Sequence, residues 1–236
     1  MVSTALLIIF LVNLFLGTLV FWKNKRSSTN RYLSLFIFSA AGWALGIFAL
    51  LTKQISNLNF LGKLTFGFAT LIPSSLVLFS FVFPKPTRKL THWGTFVIFA
   101  PALVLLASLS TNLLIGDIQI YDGQINPTRG PLYQIFVLYF IVFIIWFFVR
   151  LFLKYRIAEG KEKNQINYVF LGILLFAFFA MGTNLILPAF GINQLNSLGP
   201  IFSVLMVGSM SYAIIKHRLM DIRMVVAKSI TYSFLI

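Results

Sequence analysis

Seven stretches of almost unbroken apolar sequence follow one another along the chain, at residues 2–22, 32–52, 64–83, 93–115, 132–149, 166–187 and 195–215. Each is close to the length of about 20 residues that a helix needs to cross roughly 30 Å of hydrocarbon. The pattern therefore predicts an all-α membrane protein, a seven-transmembrane helix bundle. No linker or internal repeat divides the series, so residues 1–215 read as one seven-helix transmembrane domain. Residues 216–236 read as a cytoplasmic juxtamembrane segment. Its last eight residues, 229–236, turn apolar again but are too few to span, so the segment reads as the truncated start of an eighth span or of a coupling helix, and the intact protein is expected to continue.

Composition agrees, with 59% hydrophobic and only 10% charged residues. A net charge of +14 in a soluble chain would suggest nucleic acid; here its distribution argues against that partner. Sixteen of the nineteen Lys and Arg lie in the first, third and fifth connectors and the tail, against Lys53, Lys63 and Arg129 in the alternate connectors. Basic loops stay in the cytoplasm, so the bias places the N-terminus outside and the C-terminus inside, in a multi-pass protein of the cell (cytoplasmic) membrane. Trp22, Tyr32, Trp93, Tyr155 and Tyr168 near the basic ends, and Tyr121 and Tyr133 near the others, fit interfacial belts. The first apolar run has no basic residue before it and Lys23, Lys25 and Arg26 after it, the order of an uncleaved first span.

The spans so drawn contain no Asp, Glu, Lys, Arg or His. Ion-coupled transport usually needs a charged group at depth, and a retinal pigment needs a lysine in its last span. Both classes are disfavoured. With no cysteine, two isolated histidines (His92 and His217) and no nucleotide, hydrolase or metalloprotease motif, no catalytic residue, cofactor or metal site is expected. Neutral polar groups do occur at depth: Asn13, Ser74 and Ser75 beside Pro73, and Asn184 four residues before Pro188. Their expected role is bonding between helices and to carbonyls freed by proline, with Asn184 also a candidate hinge or ligand contact. Gly42 and Gly46, flanked by Ser39, Ala40, Ala41, Ala44 and Ala49, form a small-residue face that predicts close helix approach, within the bundle rather than between chains.

The connector at 116–130 alternates apolar residues around Asp122-Gly123 and predicts a small hairpin, a lid over the bundle or a recognition element. Its Asp117, Tyr121, Asp122 and Arg129, with Asn184, are the candidate sensing residues for an unknown ligand. The chain also resembles the N-terminal seven-transmembrane input region of bacterial sensor histidine kinases. The resemblance is carried by residues 13–17, the Arg26-Ser27-Ser28-Thr29-Asn30-Arg31 loop, Trp43 within Ala41-Gly42-Trp43-Ala44-Leu45-Gly46, residues 184–188, and above all the stretch from Tyr212 to Arg223. It implies a sensory input module that relays an external or membrane signal to a cytoplasmic kinase or other output domain, in cis or in trans. It also implies a homodimer and attachment to a histidine kinase, although this chain has no kinase motif and is not itself expected to be an enzyme. Arg218, Asp221 and Arg223 are the candidate signal-output residues, placed where basic side chains meet anionic headgroups of the lipid bilayer. The competing expectation is a small-molecule or lipid permease using neutral groups such as Asn13, Ser74 and Asn184.

Overall fold

Capping side chains set several helix boundaries in the computed structural model, which describes residues 1–53, 57–86, 90–121 and 124–217. After α1 (Val2–Lys23), the side-chain oxygen of Asn24 accepts the backbone N–H groups of Arg26 and Ser27 and turns the chain. The Ser27 hydroxyl caps α2 (Ser28–Thr52), which ends at Lys53 in left-handed conformation, φ 52°. Asn57 caps α3 (Leu58–Val82) and Thr91 caps α4 (His92–Ser108). Each cap satisfies an N–H that the first helical turn leaves unpaired. The antiparallel pair β1 (Ile115–Tyr121) and β2 (Gln124–Arg129) follows. Then come α5 (Tyr133–Ile157), α6 (Gly160–Met181), a π turn (Gly182–Ile186), the single turn α7 (Leu187–Ala189), a 3-10 turn (Gly199–Phe202) and α8 (Ser203–His217).

Five segments, α1, α2, α3, α5 and α6 with its π turn, are long and apolar enough to cross a membrane, and two shorter apolar helical segments accompany them, α4 and the one that includes α8. The helical bundle is thus of membrane type, but its boundaries differ from those expected of hydropathy alone. The predicted fourth span, 93–115, stops as a helix at Ser108. The hydroxyls of Ser108, Ser110 and Thr111 take the carbonyls of Leu105, Ala107 and Ser108, competing with the helical ladder. Leu114 and Ile115 are instead buried in a connector and a strand. The third helix begins six residues before its predicted start and includes Lys63, whose ammonium reaches Asn112 at 3.1 Å. The fifth runs on through Arg150, Lys154 and Arg156. The predicted seventh span opens as turns and becomes α-helical only at Ser203, and α8 reaches His217, two residues past the expected domain boundary.

α3 is the most enclosed helix, packed by α2, α4 and α5, while α6 and α8 continue the bundle and α1 closes it between α2 and α8. The small-residue face of α2 meets α3: a Cβ on Gly46 would lie 2.2 Å from the Thr65 hydroxyl oxygen, and one on Gly42 2.4 Å from the Phe68 ring. The pattern thus serves packing inside the bundle, as expected. Asn13 donates to the Ser203 hydroxyl at 2.8 Å, a buried link from α1 to α8, and Asn30 donates to the Val20 carbonyl at 2.8 Å, tying α2 to α1. Leu7, Ile8, Leu11 and Phe15 on α1, and Leu138, Val142, Ile145 and Phe152 on α5, face outward, which suits hydrocarbon surroundings rather than water.

Candidate functional site: a lidded apolar cavity

The hairpin predicted around Asp122-Gly123 is present, with Ile120 opposite Ile125 and Tyr121 opposite Gln124; residues 122 and 123 lie outside those described. Period-two alternation buries Ile118 and exposes Asp117 and Gln119. Ile118 rests on α3 at Gly62, where a Cβ would come within 2.4 Å of it. Beside it the Asn59 amide makes two bonds to the hairpin, donating to the Asp117 carboxylate at 2.8 Å and accepting the Ile118 N–H at 2.7 Å. On the other side Arg129 donates to the Pro188 carbonyl at 2.8 Å and Asn196 to the Ile125 carbonyl at 3.3 Å. The hairpin is therefore fastened both to α3 and to the segment between α6 and α8.

Beneath it lies a cavity of about 90 Å³ enclosed by α2, α3, α5 and α6. Trp43 and Ile47 form one wall, Thr65, Ala69 and Ile72 the next, Phe136, Phe140 and Ile144 the third, and Phe176, Ala177 and Ala180 the fourth. The polar lining gathers where the hairpin sits: Arg129, Asn184 and Asn196. Arg129 also stacks its guanidinium over the Tyr133 ring, 5.1 Å from its centroid. Asn184 lies in the π turn and donates to the Thr183 hydroxyl at 2.9 Å and the Ala180 carbonyl at 3.3 Å. Pro188 has no N–H with which to continue the ladder, and the widened turn accommodates that break. The side-chain oxygen of Asn196 is buried with no hydrogen-bond partner.

Two further polar clusters lie elsewhere in the bundle. Pro73 interrupts α3, and the Tyr139 hydroxyl from α5 enters the gap: it accepts the Ser74 N–H at 3.2 Å and lies 2.9 Å from the Thr70 carbonyl, as a donor to it. The Ser74 hydroxyl is 2.8 Å from that of Tyr139 and 3.0 Å from the Ile98 carbonyl of α4. At the end opposite the hairpin, the buried Lys154 ammonium donates to the carbonyls of Phe81, Phe83 and Lys85, closing the C-terminus of α3. A cation at that end of a helix also meets the negative pole of its dipole. Arg150 covers the Phe81 ring at 3.5 Å, and Lys85 pairs with Glu162. Lys154 lies on α5 five residues beyond the span expected from hydropathy, and it is buried there because three backbone carbonyls replace its water.

Of the predicted sensing residues, the structure brings Arg129 and Asn184 to one cavity. Asp117 is held outside it by Asn59, Tyr121 is defined by its backbone pairing, and Asp122 lies outside the described residues. The output candidates Arg218, Asp221 and Arg223 lie outside them too. Asn13 and Ser74 do not line the cavity and make interhelical bonds instead, whereas Asn184, the third neutral group expected of a permease, does line it. Sequence reasoning missed Asn196 and Lys154. A lone Asn in a connector, and a basic residue after an apolar run, carry no signal of burial. Among the described residues no cluster of His, Asp and Glu could hold a metal.

A multi-pass membrane bundle with a lidded, mostly apolar cavity, and no catalytic group assembled among the described residues, defines the class. The sequence model of the N-terminal 7TM region of histidine kinase matches residues 5–223, and the chain belongs to that family of membrane sensor regions. No curated protein and no solved structure matches it.

Proposed function

We propose that this bundle is the sensory input module of a sensor histidine kinase, with its N-terminus outside, seven crossings, and the hairpin on the outer face. It receives an external or membrane signal at the cavity and passes a helix displacement to a cytoplasmic output domain. The observation that carries the reading is the position of the Asn184 π turn, which lines the cavity and terminates the helix packed most closely on α8. A Cβ on Gly172 would sit 2.5 Å from that of Ser209, and the Tyr168 and Tyr212 rings lie 4.8 Å apart, so α6 and α8 are in contact far beyond the cavity. Packed interfaces of this kind shift between discrete arrangements rather than deforming continuously. A change at the π turn therefore has a route into α8, and from there into the stretch that holds Arg218, Asp221 and Arg223.

The test joins a histidine-kinase catalytic core after Ile236 and measures autophosphorylation in proteoliposomes. Asn184→Leu, and replacement of residues 117–129 by a Gly/Ser loop, are each expected to change kinase output while leaving the protein folded in the membrane. Unaltered output in both would sink the sensor reading.

A further inference from the structure

We propose that the cavity binds a linear aliphatic carboxylate, inserted tail first between α2, α3, α5 and α6 with its head against Arg129. The inference deepens the sensor reading and rests on it. Shape is the first argument. Along α5 the lining runs from Tyr133 to Ile144 and along α6 from Phe176 into the π turn at Asn184, so at 1.5 Å per residue the space extends roughly 12–17 Å. The lining thus extends along the helix axes, over about three turns of α5 and about two of α6, and suits a chain laid parallel to them.

Polarity is the second argument. The deep walls are apolar side chains such as Ile72, Ile144 and Phe176, and they offer an inserted chain the burial that drives apolar binding. The charged and amide groups of the lining, Arg129, Asn184 and Asn196, sit at the hairpin end, and the Thr65 hydroxyl on the α3 wall is bonded to the Leu61 carbonyl. Arg129 commits one N–H to Pro188 and a ring face to Tyr133, and it makes no ion pair among the described residues. A guanidinium presents five donors in a fork that matches a carboxylate, and Arg129, exposed at the mouth, has donors to offer an anionic head in place of water. Asp117, the described acid on the same hairpin, is bonded to Asn59. The buried, unpartnered oxygen of Asn196 beside the same end requires a donor, which a water or hydroxyl accompanying the carboxylate supplies.

Trp43 lines the cavity, whereas Trp22, Trp93 and Trp146 are at least partly exposed. The experiment uses the full chain with W22F, W93F and W146F, in phosphatidylcholine nanodiscs, titrated with 10-bromodecanoate as a quencher of the remaining Trp43. Quenching is expected to saturate, and to be lost in Ala177→Phe or, should that variant not fold, in Ala69→Leu. Arg129→Gln is expected to weaken the carboxylate about tenfold or more and to leave 10-bromodecanol unchanged. Quenching that rises without limit and ignores both filling variants means partition into the bilayer and overturns the proposal. Equal binding of acid and alcohol, indifferent to Arg129, overturns the anionic head. A Trp43 already quenched in nanodiscs of chain-brominated phosphatidylcholine shows a bilayer lipid in the cavity and overturns the free ligand. Saturable carboxylate binding without any change in kinase output leaves the site standing and removes the sensor reading; the converse leaves the sensor reading and removes the ligand.

Discussion

At the scale of single residues, the bundle places side chains where the backbone ladder has been broken. Proline at position 73 costs α3 one donor, and the Tyr139 hydroxyl bridges the adjoining Ser74 N–H and Thr70 carbonyl. Two hydroxyl protons there serve three close contacts. Either Ser74 donates to Tyr139 and Tyr139 to Thr70, or Ser74 donates to the Ile98 carbonyl while Tyr139 donates to Thr70 or to Ser74. The first arrangement ties α3 to α5, and the second adds α4. Tyr139→Phe removes the hydroxyl that ties Ser74 and the Thr70 carbonyl to α5, at a cost of about 0.5–1.5 kcal/mol. A fall of several degrees in the midpoint of thermal unfolding in detergent is expected, against a smaller one for Ser74→Ala, which leaves the tyrosine bridge in place. Lys154→Met leaves the carbonyls at the end of α3 without their donor, a loss of about 1–3 kcal/mol. Because those carbonyls join α3 to α5, the Phe83 and Lys85 amides, which carry the exchangeable hydrogens of the connector at residues 83–86, should exchange faster than in the parent protein, and equal exchange rates would refute the capping role.

At the scale of elements, the helices are legible in sequence to the extent that hydropathy reports burial in hydrocarbon, and illegible where side-chain chemistry intervenes. Lys63 ends the apolar run of α3 on paper, yet a long flexible side chain lets its ammonium leave the helix for Asn112 while the backbone stays helical. The run from Leu109 to Ile115 reads as more of α4, but apolar content cannot distinguish a helix from a buried connector and strand; the hydroxyls of Ser108, Ser110 and Thr111 make that choice. The hairpin was legible because alternation and turn chemistry are local. The cavity was not, because a void is set by how four helices fail to meet, although two of its polar groups, Arg129 and Asn184, stand out in the sequence. The contact of α2 with α3 offers the cleanest test at this scale. Gly46→Leu forces side-chain atoms into Thr65, an overpacking expected to cost about 1–3 kcal/mol or more. Gly208→Ala, where a Cβ meets nothing within 4 Å, should leave the unfolding midpoint unchanged or slightly raised, since alanine favours helix.

At the scale of the whole molecule, the two ends of the bundle have different chemistry, and that difference argues for one orientation. The hairpin end carries Lys53, Lys63 and Arg129, and it also carries Asp117 and the mouth of the cavity. The other end gathers Lys23, Lys25, Arg26 and Arg31 at the first connector, and Arg150, Lys154, Arg156, Lys161 and Lys163 across the join of α5 and α6. Lys154 spends its charge on backbone carbonyls and Lys85 on Glu162, so part of this basic excess is structural. Arg26, Arg31, Lys161 and Lys163 enter no ion pair among the described residues, and the proposed orientation puts their loops on the cytoplasmic side. The cysteine-free sequence makes the resulting topology directly measurable. In intact cells a membrane-impermeant maleimide should label Ser110→Cys, an exposed position beside the hairpin, and should label Lys25→Cys only after the membrane is opened. The reverse order would invert the bundle, place the lidded cavity on the cytoplasmic face, and require its ligand to come from inside the cell.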